Sequence, residues 1–222
     1  MKRWLYWIRL ALMDLSNSLL GCVAYSVVML LLEGNDMTIH SFTAYAMRFF
    51  LIIWLLFACT LSVTRFTLIP DVMISMGETR KNVWLCMNLY NLTNLVIVVA
   101  IANIAAIVND GQIVSHFVAL ASVPAIYLFT SGMGLNFYCI QKNTGSTQKS
   151  ILHTVLLILT ILLTMVAITF TGVINPASVE TFADTRKVQL ISTCIVGAIG
   201  IVIYIIGNLQ VRKKLFTCEV GL

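Results

Sequence analysis

Six apolar runs, each close to the length a helix needs to cross a bilayer, constrain this chain of 222 residues more than any other feature. The hydrocarbon core of a membrane is about 30 Å thick and takes about 20 mostly apolar helical residues to cross. The runs cover residues 17–33, 46–63, 84–108, 117–139, 151–171 and 189–209. Backbone N–H and C=O groups find no water at that depth, so such segments must be helices. The expectation is an all-α integral membrane protein, with residues 1–222 forming a single transmembrane domain of six spans. Hydrophobic residues make up 59% and charged ones 10% of the chain. Soluble domains run nearer half apolar and a quarter charged, so a water-soluble, disordered or disulfide-scaffold fold is excluded. The first run follows a basic start, but it is too long for a signal peptide and no A-x-A site closes it, so it reads as a span.

The net charge of +5 comes from 14 Lys/Arg against 9 Asp/Glu. A nucleic-acid reader gathers its cations on one solvated face, whereas these are scattered between apolar runs, so no nucleic-acid partner is expected. With both termini on one side, eleven basic residues fall there, among them Lys2, Arg3, Arg9, Arg65, Arg80 and Lys81. The other side has three: Arg48, Arg186 and Lys187. The positive-inside rule then places both termini in the cytoplasm of a multi-pass plasma-membrane protein. Cys22, Cys59, Cys86, Cys139 and Cys194 lie in or beside the apolar runs with no C-x-x-C spacing, and read as small apolar residues.

The basic side carries two further helical signals. Residues 2–15 read as an amphipathic helix, with Lys2, Tyr6, Arg9 and Met13 on one face and Trp4, Ile8, Ala11 and Leu15, joined by Leu5 and Leu12, on another. Such a helix suits the headgroup boundary and is expected to lie along the membrane before the first span. After the second span, Ile69, Val72, Met73 and Met76 recur at i, i+3, i+4 and i+7. Pro70 can open a short helix there, Gly77 can close it in a left-handed conformation, and Thr79 can cap the third span, with Asn82 three residues on. The expectation is a short cytoplasmic helix between spans two and three, docking on a soluble partner or resting on the bilayer.

The segment Ser75-Met76-Gly77-Glu78-Thr79-Arg80-Lys81-Asn82 resembles the S-x-G-x-[ST]-R-[KR] motif after span two in ABC-2-type ABC transporter permeases, which are six-span bacterial membrane subunits. The layout of spans, connecting helix and cytoplasmic termini is similar over the whole chain, the motif over eight residues. The resemblance implies a coupling helix between spans two and three that meets a separate ATP-binding cassette subunit. The residues it would use are Ile69, Val72, Met73, Met76, Gly77, Glu78 and Arg80. It also implies a second permease subunit, identical or a sister, and ATP and magnesium bound by the partner, not by this chain. The loop between spans five and six is short here, where many relatives fold small outer helices.

No catalytic centre is visible. Gly145-Ser146-Thr147-Gln148-Lys149-Ser150 lacks the G-K-[ST] junction of a phosphate loop, and H-E-x-x-H is absent. Asp14, Asp71 and Asp110 fall outside the six runs, and His40, His116 and His153 stand singly near boundaries, so no metal or enzyme site is expected. Inside span three, Asn88, Asn91 and Asn94 share an arc of about 120° at about 100° per residue, with Asn103 about 60° beyond Asn88 on its other side. Amides in hydrocarbon need partners, so this face looks inward, either bonding other helices or lining a substrate path. Pro124 in span four is expected to kink it, and Arg48 to anchor span two at the headgroups. The function expected is export of an amphipathic peptide, lipid or drug; a stand-alone carrier and a membrane sensor or immunity protein are the alternatives.

Overall fold

The computed structural model describes residues 4–33, 39–75, 77–108, 115–141, 146–171 and 185–217. All regular structure among them is helical: α1 (Trp4–Glu33), α2 (Ile39–Ser75), α3 (Arg80–Val108), a π-helical turn (Val118–Ser122) running into α4 (Val123–Gln141), α5 (Ser146–Phe170) and α6 (Thr185–Thr217). Five stretches are long and apolar enough to cross a membrane: Leu5–Met29, Ala46–Ser75, Arg80–Val108, Val118–Ile140 and Lys187–Thr217. The remaining helix, α5, adds a shorter apolar stretch, Thr154–Phe170.

The N-terminal segment is not set apart as a connecting helix, because α1 runs unbroken from Trp4 to Glu33. Its inward face is Trp7, Leu10, Ala11 and Asp14, while Leu5, Tyr6, Leu12 and Met13 are exposed. Only Ala11 belongs to the apolar face expected from the sequence. Apolar side chains surround this helix, so hydrophobicity alone picks no face and packing against α2 and α3 decides.

A second correction concerns Pro70. The helix does not restart there: α2 continues through it to Ser75. Proline forfeits the hydrogen bond to the carbonyl four residues back, at Phe66. Phe66 is buried, and Ile69, Met73 and Ile74 pack on the same apolar cluster, which holds the last turns in place. The end of the helix is as expected. Gly77 has φ +84°, its N–H donates to the Ile74 carbonyl at 3.0 Å, and the Glu78 N–H donates to the Met73 carbonyl at 3.0 Å. That pair of bonds is a Schellman closure, which needs a left-handed residue and so favours glycine. The Thr79 hydroxyl then accepts from the Asn82 N–H at 3.3 Å and caps α3.

At the centre of the bundle, α4 packs most extensively on α6 and next on α2. A Cβ at Gly132 would stand 2.7 Å from the Tyr204 backbone nitrogen, and one at Gly134 would stand 2.5 Å from the Cys59 carbonyl oxygen. These are backbone-to-backbone approaches of the kind that small residues permit in membrane helices. Immediately before Pro124, where a kink is expected, the structure has a π-helical turn in which the Val123 N–H reaches back to the Val118 carbonyl. A proline with no N–H to offer favours such a local shift of register. The loop between spans five and six and Asp110 lie outside the described residues.

Candidate functional site

Two large apolar clusters and a small one at Cys59, Val63 and Phe137 fill the bundle, and a polar layer lies between the two large ones. One gathers Phe50, Trp54, Leu55, Val98, Ile126 and Ile168. The other gathers Trp7, Leu10, Phe66, Met87, Leu135 and Val211. Along four helices, buried polar residues fall between members of the two: Asp14 on α1, Ser62 on α2, Asn91 and Asn94 on α3, Thr130 and Ser131 on α4.

Asp14 is the centre of this layer. It is 5% exposed, and Arg65 beside it is 31% exposed. Arg65 Nε donates to Asp14 Oδ2 at 3.1 Å, and Arg65 Nη2 donates to Oδ1. The Tyr90 hydroxyl donates to Oδ2 at 2.6 Å. Each of the three lies ten residues in from its helix end, Trp4, Ser75 or Arg80, which is roughly 15 Å at 1.5 Å per residue. A carboxylate at that depth is tolerable because both oxygens are met by charge-assisted donors.

Asp14 thus sits within a membrane-length helix, not outside the spans as the hydropathy runs imply. Asp14 itself and Ser16 lower the local hydropathy, which pushes the apparent start of the span to residue 17. An acid and an arginine, each ten residues in from its helix end, become a recognisable pair once the helix bounds are known.

A second polar group joins α3 to α6. Trp84 Nε1 donates to Asn208 Oδ1 at 2.8 Å, Asn208 Nδ2 donates to Asn88 Oδ1, and Asn88 Nδ2 donates to the Trp84 carbonyl at 2.9 Å. The residues frame a crevice with no room for a water molecule, with Phe66, Met87, Asn91, Leu135 and Val211 completing its walls. Asn91 and Asn94 are each 2% exposed. The amide of Asn91 makes no hydrogen bond of good geometry, although the Tyr204 hydroxyl lies near it. Tyr127 donates to the Asn91 carbonyl at 3.3 Å. Asn103 turns back on its own helix and donates to the Val99 carbonyl at 2.8 Å. Asn88, Asn91 and Asn94 therefore face inward, as their spacing predicts, while Asn103 is apart from them.

The residues expected to meet a partner ATPase divide. Val72 is 51% exposed, whereas Ile69 and Met73 are half-covered by the bundle's own apolar cluster. Met76 lies outside the described residues. Glu78 is 9% exposed, its Oε2 accepts from Asn82 Nδ2 at 3.4 Å, and Arg80 Nη1 donates to the Phe216 carbonyl at 3.2 Å. Among the described residues no group of three or more His, Cys, Asp or Glu is placed to hold a metal. No family model, curated protein or solved structure matches the chain, so its function must be read from these residues and their geometry.

Proposed function

We propose that this chain is the membrane subunit of an ABC transporter of the ABC-2 type, a six-span permease with both termini in the cytoplasm. It would export an amphipathic substrate, a peptide, lipid or drug, together with a second permease subunit and a separate ATP-binding cassette subunit. The observation that carries the reading is the tight return at Gly77: α2 closes in a Schellman motif, Thr79 caps α3, and the two lie within the Ser75–Asn82 segment that resembles the permease motif. A return closed by hydrogen bonds at both helix ends passes a push from a soluble partner into two spans at once.

Val72 tests this, since it projects from the last turns of α2 and its replacement leaves the interior intact. The chain, coexpressed with candidate ATP-binding subunits, is expected to copurify with one and to stimulate its ATP hydrolysis. Val72→Asp should lose both while inserting normally. Normal insertion with no ATPase recovered from the native membrane would sink the proposal.

One observation favours a second reading, a stand-alone carrier: an acid stands inside the spans. Yet Asp14 is held by three donors at once, which suits a fixed tie better than a group that loads and releases an ion. Proton-coupled uptake into vesicles, abolished by Asp14→Asn, would favour the carrier.

A further inference from the structure

Four basic residues stand where the start of α3 meets the end of α6, two of them in contact across the seam. Arg80 and Lys81 open α3, and no acid stands in its first turn. The positive end of the helix dipole is already there, so cations in this turn add to it and an anion is favoured. Arg80 is fastened to α6 through the Phe216 carbonyl at 3.2 Å. From the other side, the Arg212 guanidinium lies 5.3 Å from the Trp84 ring centroid and 6.0 Å from that of Phe216. Lys213 beside it is exposed. Lys214, by contrast, is spent within the bundle, donating to the Cys139 carbonyl at the end of α4. Arg212 has no hydrogen-bond acceptor among the described residues, so its guanidinium is parked on an indole with its donors open. The neighbouring acid, Glu78, is 9% exposed and engaged with Asn82.

Apolar surface begins one turn away. Leu85, a turn along from Lys81, is 48% exposed, and Leu209, a turn before Arg212 and Lys213, is 58% exposed. Fixed cations at the end of exposed aliphatic rows fit a molecule with an anionic head and hydrocarbon tails. An acidic segment of a soluble protein would match the charges and leave the leucines unexplained. We propose that the foot of the α3–α6 seam is a headgroup site for an anionic phospholipid, held by Arg80, Lys81, Arg212 and Lys213. The site needs α3 and α6 to cross a bilayer and is independent of the transport reading.

The test uses the full chain solubilised from vesicles of equal parts phosphatidylcholine and phosphatidylglycerol, with retained lipid counted by native mass spectrometry. Phosphatidylglycerol should be retained in preference. Arg80→Gln and Arg212→Gln should each reduce that preference roughly fivefold, the effect of one surface cation. Arg212→Lys should keep most of it, and Arg9→Gln, which removes an exposed cation on α1, should leave it unchanged. Hydrogen exchange on the unmodified protein gives a second reading free of folding defects: backbone amides of residues 80–88 and 209–217 should exchange more slowly in the mixed vesicles than in phosphatidylcholine alone. Equal retention of the two lipids, an equal loss with Arg9→Gln, or displacement by inorganic phosphate would overturn the proposal. So would Gln variants that keep the lipid and instead lose a copurifying soluble protein.

Discussion

Arg65 meets Asp14 across 51 residues of sequence, with Nε donating at 3.1 Å to one carboxylate oxygen and Nη2 donating to the other. The pair ties α2 to α1, and the Tyr90 hydroxyl adds α3 at 2.6 Å. Three helices are therefore joined at one carboxylate, between the two large apolar clusters and at one level along their axes.

Breaking such a pair from one side strands the other charge, at a cost of about 3–5 kcal/mol. The two sides are unequal, because Asp14 is 5% exposed and Arg65 31%. Arg65→Met leaves a deeply buried carboxylate and should cost more than Asp14→Leu, which leaves a guanidinium able to reach water. The double variant should recover much of the loss. Thermal unfolding in detergent, taken as a double-mutant cycle, measures this; simple addition of the two single losses would show that the pair does not couple.

Close approaches of α4 give a prediction of graded cost. At Gly134 an added Cβ meets the Cys59 carbonyl oxygen at 2.5 Å and Ser62 Cβ at 2.8 Å; at Gly132 it meets the Tyr204 nitrogen at 2.7 Å. Backbone cannot swing aside, so Gly132→Ala and Gly134→Ala should each destabilise by about 1–3 kcal/mol. At Gly21 nothing lies within 4 Å, and Gly21→Ala should be neutral or stabilise by up to about 1 kcal/mol. Unfolding midpoints of the three variants should fall in that order.

The turn at Gly77 is tested by its backbone alone. With φ +84° and nothing within 4 Å of an added Cβ, space is no obstacle and conformation is. Gly77→Ala should cost about 1–2 kcal/mol, and Gly77→Asn less, since asparagine visits the left-handed region more readily. Equal stability of the two variants would mean that the turn had relaxed to another conformation.

How far the fold is legible from sequence depends on the range of the interaction. The apolar runs mark where helices run, and the Gly77 closure, the Thr79 cap and the inward face of Asn88, Asn91 and Asn94 follow from spacings of a few residues. What fails is tertiary. Arg65 reads as one more cytoplasmic cation until its partner on another helix is known. The face of α1 that turns inward cannot be chosen when Ile8, Leu12 and Leu15 compete with Trp7 and Leu10. Pro70 is a helix breaker by local rules, and the packing of Phe66, Ile69 and Met73 overrides them. Within the candidate site, Asn208 escapes notice because an amide at the end of the apolar run of α6, two residues from Gln210, has no visible partner without the fold.

That amide carries the last prediction. Asn208 Oδ1 accepts from Trp84 Nε1 at 2.8 Å, and from Asn88 Nδ2 at 3.4 Å. Its Nδ2 donates in turn to Asn88 Oδ1. Asn208→Leu removes all three bonds and leaves both the indole and the Asn88 carbonyl oxygen unmet. Asn88→Leu spares the indole bond. Interhelical hydrogen bonds in membranes are worth about 0.6–2 kcal/mol, so Asn208→Leu should cost about 1–2 kcal/mol and Asn88→Leu less. The double variant should cost little more than Asn208→Leu, because the shared bonds are already gone. Trp84 is also the platform for Arg212, at 5.3 Å. An indole released from Asn208 should reorient and carry the guanidinium with it. Asn208→Leu is therefore expected to weaken phosphatidylglycerol retention although it changes no charge, whereas Asn88→Leu should leave retention near that of the unmodified protein. Equal retention in both variants would separate the amide cluster from the basic foot of the seam.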